Sequence, residues 1–273
     1  MLAIRALLAA AFLGAPAMLA QWPAYSTAKA GLTGPVPRTA DGKPDLSGIW
    51  QYARPPGTPA PAGQPSSAQP ASPTADIVPL AVRLSQFWNL GASFPDGLPF
   101  QPWAAELHRQ RVASNSKDNP DAHCLPLGLM QLHTHGQPRK MVQTPGVIVI
   151  IYEANAGLRQ IFTDGRAQPK DVEPWWFGYS TGKWEGDTLA VETTNLRDLG
   201  WLDVEGSPIT ETGRILERFR RVDFGHLEIE VTIDDPKAYT KPWTVTVHQR
   251  IMPDTELIEF VCQENDKDGP HLR

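Results

Sequence analysis

The chain has 273 residues, 41% hydrophobic and 20% charged, with a formal net charge of −5. That length carries one large or two small globular domains with a real core, and mild acidity without a basic cluster or stripe excludes an electrostatic nucleic-acid binder. Nine Trp and 27 Pro against five Met point to a loop-rich, β-leaning protein.

In chain order, residues 1–20, MLAIRALLAAAFLGAPAMLA, combine Arg5, an apolar run and small closing residues. This is the pattern of a secretory signal, with cleavage after Ala17 or Ala20 and a periplasmic or secreted product without a membrane span. Residues 21–52 are a polar lead-in that ends in a first short strand, SGIWQYA. Its Gly48-Ile49-Trp50 resembles the opening of lipocalin-type barrels. Residues 53–76 carry seven prolines and no apolar period, the composition of a linker. The stretch 77–128 is a helical segment with two modest helices. One is expected over about 78–90, with Asp76 near its start, and one begins at Pro102 and runs through WAAELHRQRVA.

From residue 129 to 273 the texture is that of an antiparallel β domain. Strands are expected at MQLHTHG or RKMVQT, then VIVIIYE, LRQIFTD, WFGYSTGKW, TLAVETTNL, RILERFRRV, HLEIEVTID, WTVTVHQRIM and ELIEFVCQE. Turn residues such as Asp164-Gly165 and Glu185-Gly186-Asp187 separate them. Short connections favour antiparallel neighbours. HLEIEVTID alternates, so one face is buried, whereas VIVIIYE does not and reads as buried on both faces. The fold class is mainly β: a meander closing into a lipocalin-like barrel or curled sheet with two short helices, or a β-sandwich.

The segments DGKPDLSGIW (41–50), GKWEGDTLAVETTN (182–195), ERFRRVD (217–223), DDPKAYTKPW (234–243) and CQEN (262–265) together resemble a family of exported bacterial β-rich proteins. The resemblance covers most of the chain and implies export and a β-rich fold. It brings no catalytic residue with it.

Cys124 and Cys262 are the only cysteines, and in an exported protein they are expected to form a disulfide. His133 and His135, two apart, leave one face of a strand and can share a divalent metal; a hydrogen-bonding pair is the plainer reading. Glu153 and Arg159 flank ANAG. A three-residue loop with Gly157 left-handed sets them opposite each other, as an ion pair or as a catalytic group held by a guanidinium. The turn carboxylates Asp164, Glu185 and Asp187 can share one rim, where they could hold a calcium ion, although their spacing matches no calcium loop. Trp175, Trp176 and Tyr179, with Tyr239 and Trp243, are candidates to wall a ligand pocket. In ERFRR, Glu217, Phe219 and Arg221 share a face; if it points inward, Arg221 needs a carboxylate, with Glu192 or Glu259 as partners.

The functional expectation is a binding protein holding a small, partly apolar or aromatic molecule in a barrel cavity. Two alternatives stand beside it. One is a lyase, isomerase or hydrolase using His135, Glu153 and Arg159, with or without metal; the other is an exported interaction protein.

Overall fold

The computed structural model describes residues 32–54, 85–198 and 200–264. The signal-like segment, residues 55–76 of the linker and the first part of the helix expected over 78–90 lie outside them. Residues 85–89 are turn and irregular backbone rather than helix, and a 3-10 turn, Leu90–Ser93, follows.

Nine strands close into one barrel: β1 (Gly48–Ala53), β2 (Arg139–Thr144), β3 (Val147–Tyr152), β4 (Leu158–Phe162), β5 (Tyr179–Glu185), β6 (Thr188–Thr194), β7 (Arg214–Arg221), β8 (His226–Asp234) and β9 (Trp243–Ile251). Consecutive strands pair antiparallel except β4 and β5, which run parallel over Ile161↔Ser180 and Phe162↔Thr181. The parallel return requires the long crossover between Phe162 and Tyr179. The turns follow local chemistry. Pro145-Gly146, with Gly146 at φ +85°, joins β2 to β3, and Gly186-Asp187, with Gly186 at φ +61°, joins β5 to β6.

Alternation sets the inside of the barrel. Leu227, Ile229, Val231 and Ile233 of β8 are all fully buried, as their spacing predicts. β3 is buried on one face only: Ile148, Ile150 and Tyr152 point in, while Ile151 is exposed. Five successive β-branched residues therefore mark a strand but not two covered faces, because neither helix lies across it. The helix α1 (Pro102–Ala113) buries only Ala104 and docks on the β8–β9 connection, where the Trp103 Nε1–H donates to the Lys237 carbonyl at 2.7 Å.

The second helix, α2 (Leu129–Thr134), occupies the segment expected as the strand MQLHTHG, and all six of its residues are buried. Gly128 starts it where a Cβ would meet the Trp201 carbonyl at 1.9 Å, so no larger residue fits. Arg139, fully buried on β2, holds its far end by donating to the carbonyls of His133 (2.7 Å), His135 (2.9 Å) and Gln137 (3.2 Å). A cation at the carbonyl end of a helix completes unpaired acceptors and opposes the helix dipole. α2 thus plugs the barrel.

β1 closes the barrel by pairing with β2 on one side and β9 on the other. Trp50 is fully buried, its Nε1–H donates to the Leu46 carbonyl at 2.9 Å, and the Arg221 guanidinium lies 5.0 Å over its ring. ELIEFVCQE is not a strand: after β9 the chain is irregular, and its anchor is the disulfide Cys124–Cys262, with the Cα atoms 5.5 Å apart. The bond ties that tail to the turn before α2. Among the described residues no helix is long and apolar enough to cross a membrane.

Trp50→Ala is expected to cost about 3–5 kcal/mol in urea denaturation, from the lost ring and the cavity left behind. Replacing both cysteines by serine is expected to cost roughly 2–5 kcal/mol in the same assay.

Candidate functional site

The barrel interior holds a connected polar cluster instead of an open cavity. β2, β4, β5, β6, β7 and β9 each aim a buried polar residue inward: Arg139, Arg159, Ser180, Thr193, Glu217 and Gln249. At its centre the Arg159 guanidinium forks onto both carboxylate oxygens of Glu217, with NH1 to Oε1 at 2.9 Å and NH2 to Oε2. It also donates to Ser180 Oγ (3.1 Å) and Thr193 Oγ1 (2.9 Å). The His133 Nε2 meets Glu217 Oε1 at 2.7 Å from the plug helix.

Burial acts to raise the Glu217 pKa, but the Arg159 charge and the bonds from His133 and Arg159 outweigh it and hold the group at about 2. Burial, joined by the Arg159 and Arg139 charges, holds His133 below its ordinary value despite Glu217, so its ring is neutral at neutral pH. An ionised carboxylate only accepts, so Nε2 carries the ring proton. Burial also takes His135 down to about 4.

The second feature is the β4–β5 seam. Only Ile161 and Phe162 of β4 pair with β5, and a cleft of about 260 Å³ lies beside the rest of the strand. Its walls include Leu158, Phe162, Trp175, Trp176, Phe177 and Pro126, with Arg159 and Ser180 at the floor. Phe162 stacks on Tyr179 with ring centroids 5.1 Å apart, and Tyr179 meets Trp175 at 5.5 Å. Arg159 donates to Ser180, Thr193 and Glu217 through all three of its nitrogens, and the Ser180 hydroxyl lies 2.9 Å from Thr193 Oγ1. The floor is therefore polar yet committed to the barrel, and the rings remain as the binding surface.

The structure separates several residues that the sequence suggested together. Glu153 and Arg159 do not face each other: the β3–β4 register sets Ile150 opposite Arg159. Gly157 has φ −64°, and Asn155 and Ala156 take the left-handed positions instead. Glu153 accepts from the Ile258 N–H at 3.1 Å and from Gln137 Nε2 at 3.5 Å. His133 and His135 do not share a strand face, because helical backbone ends between them. The His133 ring faces Glu217, whereas His135 Nδ1 accepts from the Gln137 N–H at 3.0 Å and its ring packs edge-on to Phe87. Among the described residues no group of three His, Cys, Asp or Glu side chains is placed to hold a metal ion.

Asp164, Glu185 and Asp187 do not form a shared site either, since each is engaged by an arginine: Arg166, Arg218 and Arg38. Arg221 does turn inward with Glu217 and Phe219, but it donates to the carbonyls of Asp45, Asp223 and Phe224, not to Glu192 or Glu259. Of the aromatic candidates, Trp175 and Trp176 wall the seam cleft and Tyr179 backs it through Phe162. Tyr239 and Trp243 lie in the core: Tyr239 stacks on Phe100, Trp243 meets Phe94 edge-on, and the two meet each other edge-on at 5.4 Å. The Glu217–Arg159 pairing is the arrangement that sequence reasoning missed. Its only trace was the inward face shared by Glu217 and Phe219.

No family model matches the chain, and no curated protein or solved structure matches it either.

Glu217→Gln is expected to destabilise the fold by roughly 3–5 kcal/mol, because it leaves the Arg159 charge buried and uncompensated. Exchanging both for apolar residues is expected to cost less. Stability also depends on pH with a definite sign. His133 and His135 titrate lower in the fold than in the unfolded chain, so the unfolded state takes up protons first as the pH falls. Stability is expected to be full above about pH 6.5 and to decline toward pH 4. A second loss is expected as the pH falls from the ordinary carboxylate range toward the Glu217 value of about 2. Urea midpoints measured across this range check the profile, and His135→Phe should flatten its upper part.

Proposed function

We propose that this protein is an exported binding protein that holds a small, partly apolar or aromatic molecule in the cleft at the β4–β5 seam. The observation that carries the reading is an exposed aromatic wall over a polar floor whose hydrogen bonds are already spent inside the barrel. Such a surface selects a flat, neutral ring by stacking and offers little to a buried charge. The barrel supplies rigidity, and the plugged interior moves the site from the barrel mouth to its side wall. Export, and membership of the exported bacterial family that the sequence motifs resemble, belong to the same proposal and are supported by the disulfide between the only two cysteines.

The enzyme alternative finds less support. Of its residues, Arg159 is spent on Glu217, Ser180 and Thr193, Glu153 accepts from the Ile258 N–H and His135 from the Gln137 N–H, whereas a proton-transfer group has to reach a substrate. The interaction-protein alternative, which uses the rim turns, finds less support because Asp187 is already engaged by Arg38.

Tryptophan fluorescence titration with neutral aromatic compounds is expected to show saturable quenching, and native mass spectrometry of protein from the periplasm to show a retained small molecule. Trp175→Ala, at a residue 47% exposed, should leave the fold intact and weaken binding by about tenfold. Absence of both quenching and retained mass across the series would remove the proposal.

A further inference from the structure

We infer that the ligand of the seam cleft is an extended peptide, with one aromatic side chain in the cleft and its backbone paired to the free edge of β4. This rests on the cleft being an aromatic-binding site and names the class of molecule that it takes. In an antiparallel ladder, opposite residues alternate between pairs that exchange hydrogen bonds and pairs that do not. The Tyr152 N–H donates to the Gly157 carbonyl and the Thr163 N–H to the Gly146 carbonyl, both at 2.8 Å. With Ile150 opposite Arg159 between them, the odd-numbered residues of this stretch turn their backbone groups toward β3. Leu158, Gln160 and Phe162 turn theirs toward the seam.

β5 meets only part of that edge. It pairs with Ile161 and Phe162, and upstream of Tyr179 the chain leaves β4 for the segment after β6. There the Trp175 N–H donates to the Asn195 carbonyl at 2.9 Å, and the Trp175 carbonyl accepts from the Arg197 N–H at 3.0 Å. Among the described residues the Gln160 N–H and both backbone groups of Leu158 are left facing the cleft without a strand partner. A free strand edge is a template for another extended chain.

Size and charge narrow the occupant. At about 260 Å³ the cleft falls below the roughly 300–1,000 Å³ of sites that enclose a whole drug-sized ligand, so it holds one ring while the remainder lies outside along the edge. Leu158 is 55% exposed, which leaves that edge open to solvent. The Arg197 guanidinium lies 5.3 Å over the Trp176 ring and has no ion-pair partner among the described residues. It sets a positive charge against the Trp176 wall, which suits a carboxylate on the part of the peptide outside the cleft.

The test is calorimetric titration of the full chain with three probes: acetyl-Ala-Phe-Glu-amide, the same peptide N-methylated along its backbone, and ethylbenzene. The unmodified peptide is expected to bind at least about tenfold more tightly than either of the others, as two or more backbone hydrogen bonds require. Gln160→Pro removes the N–H that faces the cleft while leaving the β3 ladder intact. It is expected to weaken the unmodified peptide several-fold and to leave ethylbenzene unchanged. Equal binding of the two peptides would overturn the peptide assignment while the aromatic site stood. Binding of none of the three would overturn the aromatic site as well. The N-methyl comparison uses the unaltered protein, so it decides the question even if Gln160→Pro fails to fold.

Discussion

The interaction on which the rest of this structure depends is the ion pair between Arg159 and Glu217 inside the barrel. Both side chains are removed from water, and either one alone would be a costly buried charge. Together they tie β4 to β7, and through Ser180 and Thr193 they reach the two strands between. Glu217 also receives His133 from α2, so the pair sets both the strand arrangement and the depth of the plug. An apolar interior could match its stability, but hydrocarbon alone would not specify which helix end enters the barrel. We read the cluster as a device for specifying one arrangement.

That commitment shapes the surface next to it. The guanidinium that would otherwise draw an anion into the side wall is neutralised and saturated from within. The wall of the cleft is left to the rings of Trp175, Trp176, Phe177 and Phe162. The cleft itself exists because the sheet changes direction once. A parallel neighbour reached by a long crossover pairs over only two residues, and the strand leading into it diverges toward β6. Had LRQIFTD and WFGYSTGKW been joined by a tight turn, the ladder would have run the full length of β4 and left no opening.

Much of the barrel was legible in the residues. HLEIEVTID, TLAVETTNL and WTVTVHQRIM alternate in polarity, and their turns carry glycine and aspartate where the chain reverses, so strand and facing direction follow from period and turn chemistry. The two cysteines were equally readable because only one pairing exists. The errors have physical causes. LHTHG has no strong helical signal, and its helix is imposed by burial inside the barrel and by Arg139 at its end. ELIEFVCQE has strand composition, but both neighbours that β9 can accept are already taken by β8 and β1. The Glu153–Arg159 pairing failed by a shift in the hairpin, since Asn155 and Ala156 accept the left-handed conformations that Gly157 was expected to supply. The site was half visible: the aromatic cluster could be seen, while the ion pair beneath it joins residues 58 positions apart.

The position of β1 also governs when the molecule can become whole. The strand leaves the ribosome long before its neighbours do, since it pairs with β2, which begins only at Arg139, and with β9, the last strand of the barrel. Until Trp243–Ile251 has emerged, β1 lacks its second neighbour, the sheet stays open between β1 and β8, and Trp50 has no complete core to enter. Closure is then a single late event between the two ends of the sequence, the kind of distant pairing that folds slowly. In that interval the open edges invite pairing with other chains. A protein assembled in this order gains from a covalent bond that fixes its tail once the ring is shut.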